Sequence, residues 1–269
     1  MPPTGAASPS TLIAIPVYNE ERYIDRVIPR VLEHADDVLV IDDGSTDRTP
    51  MLLATHPVEV IRHAHNRGYG HSLQDAFRWA AVDGFDWVIT MDCDEQHEPE
   101  AIPAFLDAIR NDHADVISGS RYLDTVAAED APPPNRRKIN KGITEELNQR
   151  LGLRITDAFC GFKAYRVAPL AAMDLRVDGY AFPMQFWVQA VANQLRIDEV
   201  PVKLIYNDPN RSFGGPLDDD DVRLAHYREV LHADLCRFGD RLPPAALQDL
   251  VEHTPCCACQ PGGEHQPPA

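Results

Sequence analysis

Trp87-Val88-Ile89-Thr90-Met91-Asp92-Cys93-Asp94-Glu95-Gln96-His97 is an apolar run that gives way to two carboxylates one residue apart. A short apolar run rich in β-prone residues and closed by polar ones reads as a strand buried on both faces. Asp92 and Asp94 would then stand at its carboxyl end, where an open α/β sheet gathers its ligands. Two hard oxygen donors in that place suit a divalent cation bridging them to a diphosphate. Asp is also frequent wherever a strand passes into a loop, so the pair alone leaves an ordinary turn open.

Working outward, short apolar runs alternate with amphipathic segments from Thr11 to about Tyr122, the pattern of a largely parallel sheet covered by helices. Strands are predicted at Thr11 to Val17, Asp37 to Asp42, Val58 to Arg62, Asp86 to Met91 and Asp115 to Ser120. After Leu123 the chain runs through Ala131-Pro132-Pro133-Pro134, which can neither continue a helix nor join a central strand, so Leu123 to Asn135 is predicted to be a loop, with a lid as one use for it. Helical spacing resumes over Asn135 to Leu151, Ala181 to Leu195 and Val222 to Phe238, around a strand at Glu199 to Tyr206. The expected organisation is a flexible start at 1–10, one domain at 11–240 made of halves 11–122 and 135–240, and a C-terminal helix with a disordered tail at 241–269.

With 269 residues and 44% hydrophobic content, the chain can bury a sizeable core. A net charge of -17 leaves no general basic face for nucleic acid, so a phosphate ligand would need a local basic site or a metal. The six cysteines form no disulfide framework, which fits a reducing cytoplasm. No run approaches the roughly 18 apolar residues of a membrane span. The protein is therefore expected to be cytoplasmic, peripheral to a membrane at most.

Two more predicted strands end in polar loops at the same sheet edge as Asp92. The first is Ile15-Pro16-Val17-Tyr18-Asn19-Glu20, the second Val40-Ile41-Asp42-Asp43-Gly44-Ser45-Thr46-Asp47. Asp42 or Asp43 can accept hydrogen bonds from a base or ribose, while Gly44 lets backbone approach closely. An Asp43-Gly44 turn with Ser45 or Thr46 capping the next helix accounts for part of the same pattern. No Gly-x-Gly-x-x-Gly follows the first strand, which speaks against a dinucleotide-dependent oxidoreductase.

Taken in order, these blocks resemble the family 2 glycosyltransferases, over about Leu12 to Ser212. The branch of dolichyl- and polyprenyl-phosphate sugar synthases is suggested by Asn66-Arg67-Gly68-Tyr69-Gly70, Asp92 to His97, Ser118-Gly119-Ser120-Arg121-Tyr122, Asp157-Ala158-Phe159-Cys160-Gly161-Phe162 and Glu199-Val200-Pro201-Val202. The resemblance implies a GT-A type α/β fold with a Rossmann-like nucleotide-binding half, and inverting transfer from a nucleoside diphosphate sugar. It implies that Pro16, Tyr18, Glu20, Asp42, Asp43, Gly68, Asp92 and Gln96 receive the donor. Asp92, Asp94 and Gln96 would surround Mg2+ or Mn2+. Cys93 stands where this branch usually has Ala, and a thiol ligand for Mg2+ is disfavoured.

Three residues are implied at the reaction itself: Asp94, Arg121 as a fork on phosphate, and Asp157. Asp157 would act as base toward a sugar hydroxyl, whereas a phosphate acceptor is already anionic and needs none. Arg136, Arg137, Lys138 and Lys141 form a basic cluster in an acidic chain. In the related synthases the equivalent helix faces a lipid phosphate, while a solvated helix face is the plainer alternative. The family often carries Glu where this chain has Ala181-Phe182-Pro183-Met184-Gln185, and many members continue into spanning helices where this one offers the amphipathic Val222 to Phe238. Asp218 to Asp221 is assigned to a helix start, and His253, Cys256, Cys257, Cys259 and His265 match no closed zinc finger. The rival readings are a soluble acceptor, a sugar-phosphate nucleotidyltransferase, and a binding module without turnover.

Overall fold

A computed structural model describes residues 8–123, 134–205 and 215–250. In chain order the elements are β1 (Thr11–Val17), α1 (Ile24–Leu32), β2 (Val38–Asp42), α2 (Thr49–Leu53), β3 (Glu59–Arg62), α3 (Tyr69–Val82), β4 (Trp87–Thr90), α4 (Ile102–Asn111) and β5 (Val116–Ser120). There follow α5 (Pro134–Leu151), β6 (Lys163–Arg166), α6 (Val167–Leu170), α7 (Phe182–Ala192), β7 (Ile197–Pro201) and α8 (Asp220–Phe238). The strands make one mixed sheet in the order β3-β2-β1-β4-β6-β5-β7.

The apolar strands are explained by cover on both faces. Along β1, Leu12 and Ala14 enter one core with α3, α5, α7 and α8. Ile13, Ile15 and Val17 enter the other, with α1 and α4. Period two thus feeds two helical layers from a single run. Because β2, β1 and β4 are parallel, the loops after all three open at one edge. That edge carries Tyr18, Asp43 and Asp92.

The five early strands form where predicted, with ends shifted by at most one residue. β6 was not foreseen. It runs antiparallel between β4 and β5, and its sequence Lys-Ala-Tyr-Arg has a charged residue at each end, so no apolar run marked it. β7 starts two residues before the expected Glu199 and ends at Pro201, a residue that fits an edge strand because it lacks a ladder donor. Val202 to Ile205 lie beyond the ladder, and Tyr206 is outside the described residues.

α5 begins at the third proline, where a missing N–H costs nothing in the first turn. Of the loop predicted at Leu123 to Asn135, Leu123 is described, 124–133 lie outside the described residues, and Pro134 and Asn135 already belong to α5. Asp219 caps α8 by accepting from the amides of Asp221 and Val222, which accounts for the acidic run as a helix start. Of the segment 241–269 only 241–250 is described: a 3-10 turn ends at Arg241 and another spans Pro244–Leu247, and the cysteine-rich segment lies outside the described residues. α7 is buried almost all round, which its sequence Phe-Pro-Met-Gln-Phe-Trp-Val-Gln-Ala-Val-Ala allows, and it lies between the sheet and α8. Among the described residues no helix is long and apolar enough to cross a membrane.

Candidate active site

The edge loops are fastened to each other before they meet any ligand. Asn19, in the left-handed region at φ 57°, donates its amide to Ser45 Oγ at 2.9 Å. Its Oδ1 accepts from the Thr46 amide at 2.8 Å. Ser45 is therefore a strut between the loops and caps no helix. It is Asp47 that accepts from the Thr49 amide, at the start of α2. Asp42 is fully buried, accepts from the Ser45 amide at 2.8 Å, and stands 3.2 Å from Arg62 Nε. It shapes the turn from inside and is not part of the cleft wall.

Asp43 does reach the cleft. Its two oxygens accept from the amides of Arg67 at 2.7 Å and Gly68 at 2.8 Å, so it holds the Asn66 to Gly68 loop in place. At Gly68 φ is 105° and an added Cβ would lie 2.3 Å from the carbonyl oxygen of Asp178, so only glycine closes this approach.

The cleft beneath these loops has a volume of about 940 Å3. Pro16, Tyr18, Glu20, Asp43, Gly68, Asp92, Asp94, Gln96, Arg121 and Arg136 all reach its wall. Asp94 Oδ1 accepts from the Gln96 amide at 3.0 Å, a local turn that aims the carboxylate. The amide of Asp92 donates to Nδ1 of buried His97 at 2.9 Å. Burial drives the His97 pKa down to about 4, keeping the ring neutral and able to accept. An added Cβ at Gly161 would come within 3.0 Å of Asp92 Oδ2, so this glycine keeps the face of the carboxylate clear.

On the other wall Arg121 and Asp157 form a two-pronged pair, Nε to Oδ2 at 2.6 Å and Nη2 to Oδ1 at 2.9 Å. Burial alone would raise the Asp157 pKa, but the charge and hydrogen bonds of Arg121 hold it below the usual carboxylate value. Arg121 is correspondingly held charged against its own burial. Asp157 itself lies behind Arg121 and is not in the wall. Arg136 projects from α5 into the cleft, whereas Arg137, Lys138 and Lys141 are exposed and do not line it. Lys141 pairs with Glu145 at 3.7 Å.

The sequence reading gave no role to a buried lysine, two aromatic pairs and a histidine that contribute here. Lys163, on the unforeseen β6, is a buried ammonium in the cleft wall that donates to the Cys160 carbonyl and lies 5.5 Å from the centre of the Trp187 ring. Burial pulls its pKa below the usual lysine value. Tyr69 and Tyr180 stack at 6.0 Å, and Phe159 packs on Tyr227 at 5.1 Å, giving the cleft two aromatic walls. His97 closes the Asp92 block and was given no role. Gln185, the last residue of the stretch in which the family often has Glu, lies away from the cleft: it accepts from the Arg176 and Val177 amides and donates to Asp234.

A mixed sheet with two helical layers, carboxylates at the ends of parallel strands and a polar cleft above them defines a GT-A type fold. The glycosyl transferase family 2 profile matches residues 12–173, and the chain belongs to that family, in the branch of polyprenyl-phosphate sugar synthases. It is 31% identical to the undecaprenyl-phosphate mannosyltransferase of Micrococcus luteus, over 75% of this chain and 86% of that one. It is 32% identical to the polyprenol monophosphomannose synthase of Mycolicibacterium smegmatis, over 75% and 79%. In structure it is similar to glucosyl-3-phosphoglycerate synthase from Mycobacterium tuberculosis, solved with Mn2+, UDP-glucose and phosphoglyceric acid. That match has a TM-score of 0.65 at 19% identity and covers 88% of this chain and 81% of that one. Membership of the family sets the nucleotidyltransferase reading aside.

Proposed function

We propose that this glycosyltransferase moves a sugar, with inversion, from a nucleoside diphosphate sugar to the phosphate of a polyprenyl phosphate. The observation that carries the choice of acceptor is the Arg121–Asp157 pair. Both carboxylate oxygens of Asp157 are held by a guanidinium and its affinity for protons is lowered, so it is a poor general base. An acceptor that is already anionic needs no base. Arg121, Arg136 and Lys163 offer it positive charge in one cleft, and the named activities of the two relatives fit the same acceptor class.

The residues present fit a divalent ion at the donor end. Asp92 and Asp94 supply hard oxygens and Gly161 leaves space beside them. The Gln96 Nε2, buried with no hydrogen-bond partner among the described residues, is a donor suited to a phosphate oxygen, which leaves its Oε1 for the ion. Asp92, Asp94 and Gln96 would hold Mg2+ or Mn2+, which when bound neutralises the departing diphosphate. Tyr18, Glu20 and Asp43 frame the nucleotide, and Tyr69 with Tyr180 offers an apolar wall. An acceptor phosphate oxygen held by Arg121 attacks the anomeric carbon as the bond from that carbon to the diphosphate oxygen breaks. The lipid chain would leave past Phe159 and Tyr227, so transfer would take place at a membrane surface.

The test is transfer from labelled UDP- and GDP-sugars, with Mn2+ or chelator, to vesicles carrying polyprenyl phosphate or to soluble phosphorylated and hydroxyl acceptors. Metal-dependent product on the vesicles, with inverted anomeric configuration, is expected. Product only on a soluble acceptor would overturn the lipid assignment, and donor binding without any turnover would make the chain a binding module.

A further inference from the structure

Behind the donor loops lies a second polar cluster that the transfer reaction does not use. His71 and Asp75 are one turn apart on α3, and His63 follows β3. Both histidines are buried, at 8% exposure for His63 and 7% for His71. One ring nitrogen of each histidine and one carboxylate oxygen of Asp75 all lie within 4.8 Å of one another. Asp75 Oδ2 is 2.9 Å from His63 Nε2 and 3.4 Å from His71 Nε2.

Each of these three side chains is oriented from outside. His63 Nδ1 lies 2.7 Å from Asp43 Oδ1, and His71 Nδ1 lies 2.9 Å from Asp178 Oδ1. Asp75 Oδ1 accepts from Arg78. A ring that donates Nδ1–H to a carboxylate carries its lone pair on Nε2. Two such lone pairs and an anionic oxygen then converge on one buried point. A hydrogen bond can join His63 Nε2 to Asp75 Oδ2, but His71 Nε2 is left buried without a hydrogen-bond partner among the described residues. A divalent cation would satisfy all three donors together.

The geometry points to a zinc site formed by His63 Nε2, His71 Nε2 and Asp75 Oδ2, separate from the oxygen site at Asp92 and Asp94. Two imidazoles and one carboxylate are a zinc donor set, and the carboxylate behind each imidazole is the usual outer support of such a site. Its place gives it a consequence. Asp43 also holds the Arg67 and Gly68 amides, and Asp178 precedes Gly179 and Tyr180 in the cleft wall. A cation here would pin the β3–α3 loop, α3 and the 177–180 segment to one another, and so fix the floor of the donor cleft.

The test uses the full chain with Cys256, Cys257 and Cys259 changed to Ser, which removes competing thiolates, and with saturating Mg2+ to occupy the oxygen site. After chelation and dialysis, Zn2+ is titrated calorimetrically and Co2+ spectroscopically. One Zn2+ per chain is expected, and Co2+ should give a tetrahedral visible spectrum without a thiolate charge-transfer band. Asp75→Asn and His71→Gln should abolish this binding. Asp178→Asn should weaken it by roughly 10–100-fold, the usual effect of losing an outer carboxylate. The Asp178 side chain is 60% exposed, so this last variant stays informative should the buried ones fail to fold. Less than one Zn2+ per chain, a thiolate band, or unchanged affinity in Asp178→Asn would overturn the assignment.

Discussion

At the ends of β1 and β2, Asn19, Asp42, Asp43, Ser45 and Asp47 direct their side chains at backbone amides. Across the cleft, beyond β5, charged side chains chiefly meet other side chains: Arg121 with Asp157, Gln185 and Gln189 with Asp234, and Arg150 and Arg228 with Glu146. The first arrangement makes a fixed frame that presents backbone and a few carboxylates to a donor. The second puts net charge into partly desolvated places, where one partner cannot be removed without stranding the other. Damage should therefore take different forms in the two regions. Donor-side changes should cost chemistry at preserved stability, and acceptor-side changes should cost both.

The largest effect is expected on the donor side, at Asp94. On the proposed role of Asp94 as a cation ligand, its loss withdraws several kcal/mol of charge stabilisation, which is ~10²-fold or more in rate. Asp94→Ala should show this loss in turnover while circular dichroism and the melting temperature stay near wild type. Full turnover of the folded variant, or of wild type in excess chelator, would break the comparison on this side.

Asp157→Asn is the counterpart across the cleft. It leaves the Arg121 guanidinium without its counter-ion, a change of about 3–5 kcal/mol for a buried pair. Asn19→Ala, which removes neutral bonds from a partly exposed loop, should cost nearer 1 kcal/mol. Urea unfolding of the two variants compares them directly. Equal losses would mean that the two regions are not built differently. Should Asp157 position Arg121 and take no proton, the residual transfer of Asp157→Asn should keep the wild-type pH profile.

A smaller effect separates the basic residues of α5. Arg136 lines the cleft, whereas Lys138 is exposed. Arg136→Ala should raise the acceptor KM about tenfold, the equivalent of one charge-assisted bond near 1.4 kcal/mol, and leave the donor KM unchanged. Lys138→Ala should change neither KM by more than about twofold at moderate salt. Equal responses would restore the reading in which the whole basic face meets the phosphate.

The comparison also explains what could be read from the chain. Strands buried on both faces leave continuous apolar runs, and the loops after them carry dense polar motifs, so β1, β2, β4 and β5 and the Asp43, Asp92 and Asp94 loops were legible. What hid was non-local. The partners of Asp42 and Asp43 decide which one faces the cleft, and the spacing Asp42-Asp43 cannot express that. β6 sets a charged residue at each end of Ala164-Tyr165 and so leaves no apolar run, and Lys163 went unseen with it. Asp157 and Arg121 were each named, but their pairing over 36 residues depends on β5 and β6 lying side by side. The basic cluster was visible as composition, while the helix phase that turns only Arg136 inward required α5 to be placed.

Glu146 gives the finest test, because it lies far from the chemistry and measures the acceptor-side style of construction alone. It joins α5 to α8, with Arg228 Nε at 3.0 Å, Arg150 Nε at 3.1 Å and His232 Nε2 at 3.4 Å. The hydrogen bond from His232, followed by those from Arg228 and Arg150, outweighs burial and lowers its pKa from 4.5 to about 2. A carboxylate whose folded pKa is depressed binds fewer protons than it does in the unfolded chain. Its contribution is therefore fully present above about pH 4.5 and is lost as pH falls toward 2. Screening by solvent at this partly exposed pair keeps the contribution near 1 kcal/mol. Glu146→Gln should accordingly lower stability by about that amount at pH 7, and the gap to wild type should narrow steadily when denaturation is repeated from pH 5 down to pH 3. A gap that stays constant over that range would show that the network holds α5 to α8 by packing and hydrogen-bond shape, with the charge of Glu146 contributing nothing.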